Sequence, residues 1–185
     1  MVRAVVIGGS AGSFPVVTSI LHALPEDYGL PVLLALHRLK HVRAGFMEAL
    51  QSKSNLEVLE PYDKDRVLPG KVYLAPSNYH MYVESNHRFQ LTTEEPVNHS
   101  RPSIDILFSS VARVYGAEGV GVILSGANRD GAQGLARLKA AGGVAVVQDP
   151  AASLMPTMPS AAQGLCTPDW VLSPEGIVEY LLTLA

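Results

Sequence analysis

The sequence predicts an α/β fold: a doubly wound, mostly parallel sheet flanked by helices, with an antiparallel β-hairpin at one edge. Two observations carry this. Short apolar runs such as AVVI (4–7), PVLLAL (31–36), VGVIL (120–124) and VAVV (144–147) have the composition of strands buried on both faces. Amphipathic stretches of helical length lie between them, and strand–helix alternation means parallel order with helices on both sides.

The elements follow in order. The first strand, 4–7, closes on Gly8-Gly9. A helix over 14–23 carries Pro15 in its first turn, where a missing N–H costs little, and aligns Val16, Val17, Ile20 and Leu21 on one face. Strand 31–36, a helix over 42–52, and short strands at 56–59 and 71–75 come next. MYVES (81–85) and RFQLT (88–92), split by Asn86-His87, alternate in character and read as a hairpin. A helix over 103–115, strand 120–124, a helix over 131–141 ended by Gly142-Gly143, and strand 144–147 complete the alternation. A last helix, 174–184, starts behind Ser173, a good N-cap, with Pro174 next. No repeat or linker interrupts the 185 residues, so one domain spanning 1–185 is expected.

Composition narrows the function. Apolar residues make up 48% and charged residues 17% of the chain, with a formal net charge of −3. That balance argues against a nucleic-acid partner, which needs a basic patch. The six histidines show no metal-ligand spacing, so no metal site is expected. Cys166 is the only cysteine, which suits a reducing cytoplasm. No base candidate lies near it, so a packed thiol is the expectation rather than a nucleophile. No leader-like segment and no apolar run near ~20 residues is present, so neither export nor membrane insertion is expected. A monomer is the default.

The chemistry-bearing motif is Gly8-Gly9-Ser10-Ala11-Gly12. It matches G-x-S-x-G between a strand and a helix, where a serine hydroxyl is pushed out at the carboxyl end of a sheet and the helix N-terminus offers N–H groups to a developing oxyanion. A plain Gly-rich turn and a phosphate site at the same helix N-terminus fit the motif too. The dinucleotide fingerprint fails because Ser10 and Ser13 take its second and third glycine positions.

A serine nucleophile needs a base, and histidine titrates near working pH. His37 directly follows strand 31–36 and so shares the sheet edge with Ser10, although an isolated loop histidine is the commoner use. Asp130, in Ser125-Gly126-Ala127-Asn128-Arg129-Asp130-Gly131, follows strand 120–124. It suits the acid that orients an imidazole and equally suits an N-cap. Position joins the three: residue types that work together each follow a buried strand at one edge.

Beyond these residues the chain resembles a known family, the catalytic domain of CheB-type bacterial chemotaxis protein-glutamate methylesterases. The likeness runs through VVIGGSAG, LLALHR, GKVYLAPSNYHMYVE, RPSIDILFSSVA, GVILSGANRDGAQG, AGGVAVVQDPAAS and MPSAA, in order and over nearly the whole chain. The family's nucleophile, base and acid fall on Ser10, His37 and Asp130. The resemblance implies hydrolysis of γ-glutamyl methyl esters on chemoreceptor cytoplasmic helices with release of methanol, deamidation of receptor glutamines in some members, and no cofactor. It implies an oxyanion contact through Ala11, and brings Ala127 and His80 in as oxyanion or substrate residues. Ser103 and Asp105 are expected to cap a helix or support the site. The family usually has Thr and then Gly-Gly after the nucleophile, where Ala11, Gly12 and Ser13 stand here, and Thr-Gly-Met-Gly before the acid loop's last residues, where Ser125, Gly126, Ala127 and Asn128 stand. Its usual receiver domain is not found in these 185 residues, so a stand-alone catalytic domain is expected, with an excised piece of a longer protein as the alternative. Two other readings remain at this point: an esterase or amidase of the same fold acting on another target, and a non-catalytic signalling scaffold.

Overall fold

The computed structural model describes residues 1, 3–38 and 45–184. In chain order the elements are β1 (Ala4–Gly9), α1 (Phe14–Ala23), β2 (Val32–Leu36), α2 (Phe46–Gln51), β3 (Glu57–Leu59), β4 (Lys71–Leu74), β5 (His80–Val83), β6 (Phe89–Thr92), α3 (Ile104–Tyr115), β7 (Gly119–Ile123), α4 (Ala132–Ala140), β8 (Val144–Gln148), α5 (Thr157–Leu165), β9 (Trp170–Leu172) and α6 (Pro174–Leu182). Seven strands pair in the order β3-β4-β2-β1-β7-β8-β9, each neighbouring pair parallel.

The apolar runs are strands because both of their faces are covered. In β1, Ala4 and Val6 pack on one side with Ile104, Phe108 and Leu135. Val5 and Ile7 pack on the other with Val17, Ile20 and Ile177. All four β1 side chains are fully buried. Burying residues of that size contributes about 1.5–3 kcal/mol each, which is why such runs need no polar alternation.

The chain leaves β1 for β2 on one side and later returns to β7 on the other. The crevice beyond the carboxyl ends of β1 and β7 is therefore a topological switch point, the place where open α/β sheets carry ligand sites. Ser10 N–H donates to the Ser125 carbonyl at 2.9 Å, and His37 N–H donates to the Gly9 carbonyl at 3.0 Å. Register thus sets the ends of β2, β1 and β7 side by side.

The expected hairpin forms as β5 and β6, a separate two-stranded antiparallel sheet. Met81, Val83 and Phe89 pack into the α3 side of the core, and Val83 N–H donates to Ser110 Oγ on α3 at 2.9 Å. Of the helix expected at 42–52, residues 42–44 lie outside the described residues, and α2 runs from Phe46 behind Gly45 at φ 86°. Ser173 caps α6 as expected, its Oγ accepting from Gly176 N–H at 3.1 Å. Two elements went unpredicted. α5 has Pro156 at its N-cap and Pro159 in its first turn, where proline is tolerated. β9 is three residues long with Trp170 and Val171 exposed.

Candidate active site

Ser10 stands between β1 and α1, partly exposed. The turn that carries it is held from below. Ser13 Oγ donates to the Ser10 carbonyl at 2.6 Å, and Ser125 Oγ donates to the Ala11 carbonyl at 2.7 Å while accepting from Met155 N–H at 2.9 Å. Ser125 N–H in turn donates to Gln148 Oε1 at 2.9 Å. Gln148 is buried, so the turns after β1, β7 and β8 are tied by one polar network. Gly12 takes φ 81°, and a Cβ there would stand 2.6 Å from Leu154 Cβ. This position needs glycine both for its conformation and for its space. Phe14 and Met155, each about one-third exposed, and the far more exposed Leu154 give the elbow an apolar rim.

His37 and Asp130 meet: His37 Nε2 lies 2.7 Å from Asp130 Oδ2, with Asp130 fully buried and His37 nearly so. Asp130 is not the cap of its own helix, because the N-cap position of α4 is Gly131 and no side chain caps that helix. Its carboxylate instead caps α3. Oδ2 accepts from Ile104 N–H at 2.6 Å. Oδ1 accepts from Asp105 N–H at 3.1 Å and from Ser103 Oγ at 2.9 Å. A carboxylate at a helix N-terminus meets unpaired N–H groups and a favourable dipole. Burial pushes the Asp130 pKa up, but the His37 hydrogen bond and charge with the Ile104 and Asp105 N–H groups outweigh it and hold it below the ordinary carboxylate value. Ionised Asp130 only accepts, so Nε2 of His37 carries the proton and Nδ1 has the free lone pair. Ser100 Oγ faces Nδ1 at a long 3.4 Å.

The expected hydrogen-bond reach between Ser10 and His37 is met by backbone adjacency alone: among the described residues no hydrogen bond joins their side chains. Such contacts are often long before substrate binds. Ala11 and Ala127 are exposed, and neither N–H is engaged by another described residue. The expectation that His80 lines the cleft is corrected. Its side chain is wholly buried, its Nε2 donates to the Glu95 carbonyl at 2.9 Å, and its Nδ1 accepts from Ser103 N–H at 3.1 Å. His80 is spent on holding the entry to α3. Ser103 supports the site as expected, giving its hydroxyl to Asp130 rather than capping α3 itself. Cys166 is half-buried, and burial pushes its thiol pKa up, which suits the packing role.

Sequence reasoning missed Asn98. It sits with His99 in a tight turn at φ 51° and 63°, closed by Val97 and Ser100 exchanging backbone hydrogen bonds at 3.1 and 2.9 Å. Two positive-φ residues make a reversal of the kind asparagine favours. The Val-Asn-His-Ser run could have marked the turn, but nothing in it points to Asp130. An open groove of about 420 Å³, lined by Pro96, Asn98, His99, Asn128 and Arg129, lies beside the acid loop, and neither Ser10 nor His37 lines it.

A serine-bearing turn and a buried His–Asp pair at the switch point of a parallel sheet define a hydrolase-like α/β domain. The chain belongs to the CheB methylesterase family, whose model matches residues 5–181. It is 41% identical over 184 residues to a Geobacter metallireducens protein named protein-glutamate methylesterase/protein-glutamine glutaminase 4, covering 99% of this chain and 53% of that protein. It is also 41% identical over 182 residues to a Leptospira interrogans protein given the same two activities provisionally, covering 98% of this chain and 94% of the relative. The structure superposes on the crystal structure of the Thermotoga maritima CheB methylesterase catalytic domain with a TM-score of 0.94 at 29% identity, each chain covered in full.

Proposed function

We propose that this chain hydrolyses γ-glutamyl methyl esters on the cytoplasmic helices of chemoreceptors, with Ser10 as nucleophile, His37 as base and Asp130 as the acid that orients it. The observation that carries the reading is the 2.7 Å pairing of His37 with a fully buried Asp130, one strand position from a serine elbow in a chain of this family.

His37 Nδ1 takes the Ser10 proton as Ser10 Oγ attacks the side-chain ester carbonyl. The Nε2–H bond to Asp130 holds the ring in the tautomer that makes Nδ1 basic and stabilises the imidazolium formed. The oxyanion is received by the N–H groups of Ala11 and Ala127. Collapse expels methoxide, which takes the proton from Nδ1 and leaves as methanol. Water, deprotonated by the same nitrogen, attacks the acyl-serine; breakage of the Ser10 ester bond frees glutamate, and Nδ1 returns the proton to Ser10 Oγ. The same steps on glutamine would release ammonia. No step calls for a metal or an organic cofactor. Among the described residues no helix is long and apolar enough to cross a membrane, and a substrate on receptor cytoplasmic helices places the reaction in the cytoplasm.

The test is methanol release from methylated chemoreceptor cytoplasmic fragments, wild type beside Ser10→Ala. Release by the wild type alone is expected. Equal release by both would remove Ser10 from the mechanism, and release by neither would remove this substrate.

A further inference from the structure

The site holds a second buried carboxylate that the chemistry above does not use. Asp105, in the first turn of α3, is 7% exposed. Its Oδ1 accepts from Gly134 N–H at 2.7 Å. Asn98 stands between the two acids, its Nδ2 donating to Asp105 Oδ2 at 2.8 Å and to Asp130 Oδ1 at 3.1 Å. One carboxamide thus spends both of its N–H groups on two carboxylates.

We propose that Asn98 is a positioning residue for hydrolysis: its carboxamide bridges Asp105 and Asp130 so that Asp130 stays ionised and aimed at His37. This rests on the reading of Ser10, His37 and Asp130 given above. Two like charges in one buried site resist simultaneous ionisation, and a proton shared between them belongs to the pair. Where that proton sits decides whether His37 has its acceptor. Asp130 accepts from His37, Ser103 and two α3 N–H groups in addition to Asn98, whereas Asp105 has only the Gly134 and Gly131 N–H groups beside Asn98. The uneven set of donors keeps the proton off Asp130. Burial and the Asp130 charge raise the Asp105 pKa against the pull of Gly134, Asn98 and Gly131, in the same direction.

The charged and titratable groups around the pair are few. His37 reaches Asp130 from the end of β2. His80, from β5, takes the Ser103 N–H beside it. Arg129 shares a groove with Asp105 and Asn98, Arg113 and Arg137 line the outer side of Asp105, and His99 shares the turn. None of the three arginines makes a hydrogen bond to either carboxylate among the described residues. The carboxamide is the group between the acids.

The backbone allows a clean test. Asn98 has φ 51°, so Asn98→Gly removes the carboxamide and keeps a residue suited to the turn. His99→Gly makes the same change at the neighbouring positive-φ position, outside the network. The measurement is the rate at which a fluorophosphonate labels Ser10 in the full chain across pH, with Ser10→Ala as the blank, so that it does not depend on the physiological substrate.

The proposal expects Asn98→Gly to label at least about tenfold more slowly than wild type at low pH, about 1.4 kcal/mol, with the deficit shrinking as pH rises and the shared proton leaves the pair. It expects His99→Gly to label as wild type does. It expects Asn98→Gly with Asp105→Asn to recover most of the rate, because that site holds only one carboxylate. An unchanged rate in Asn98→Gly overturns the proposal. So does a deficit that is the same at every pH and unrelieved by Asp105→Asn, the mark of a merely structural turn. If wild type and Ser10→Ala label alike, the reading of Ser10 fails first and takes the proposal with it.

Discussion

Ser10 and Asp130 follow neighbouring strands, β1 and β7, yet the molecule treats them in opposite ways. The Ser10 hydroxyl is partly exposed, and among the described residues it makes no side-chain hydrogen bond. Asp130 is fully buried, and its two oxygens accept from His37, Asn98, Ser103, Ile104 and Asp105. Pre-organisation is concentrated in the His37–Asp130 half of the site, and the Ser10 hydroxyl is left free. Substitutions in the two halves should therefore fail differently.

The sharpest contrast is Ser10→Ala against Asp130→Asn. Ser10→Ala is expected to lower hydrolysis on the order of 10⁴-fold or more and to leave the unfolding midpoint where it was. Asp130→Asn is expected to lower hydrolysis about 10⁴-fold and also to destabilise the fold by about 1–3 kcal/mol, because an amide N–H₂ would face donors it cannot accept from. Denaturant titration of the two variants checks this, and equal stability would break the comparison.

Acidification tests the same half without a mutation. Asp130 has a folded pKa below the ordinary carboxylate value, first against burial and then through His37 and the α3 N–H groups. Its contribution to stability is present above an ordinary pKa of about 4 and is lost as pH falls through the lower folded value. Asp105, raised chiefly by burial, runs the other way: its favourable contribution is present at low pH and is lost as pH rises through its folded pKa. The expected outcome is that below pH ~4 wild type loses stability more steeply than Asp130→Asn. Parallel curves would contradict the carboxylate's role.

Gly8→Ala should couple the halves. A Cβ at Gly8 would lie 2.4 Å from Ile104 Cγ2, and Ile104 N–H is one of the donors to Asp130. The expected cost is about 1–3 kcal/mol of stability with a parallel loss of kcat, read by thermal unfolding and turnover together. Ser100→Ala should do least. Its 3.4 Å contact to His37 Nδ1 is beyond the usual hydrogen-bond range, so turnover within a few-fold of wild type is expected, and a collapse of activity would show that this hydroxyl holds the ring.

The sequence was legible wherever one strand's own pattern decided the outcome. AVVI and VGVIL are apolar on both faces and so had to lie inside a covered sheet, which placed Ser10, His37 and the acid loop at one edge. It was illegible wherever the answer depended on a partner far along the chain. Asp130 has the local look of an N-cap for α4, but its partners are the N-terminus of α3 and Asn98, more than twenty residues away. His80 occupies a segment the family resemblance marks, yet its two nitrogens are used by Glu95 and Ser103. α5 and β9 were hidden for a local reason: two prolines near one start, and only three residues in the other.

The most direct test of the central claim is to quench the chain during turnover of a methylated receptor fragment and find the acyl group by peptide mass spectrometry. The account predicts a glutamyl ester on Ser10 that accumulates in wild type and is lost in Ser10→Ala. Turnover with the acyl group on another residue, or with Ser10→Ala fully active, would contradict it.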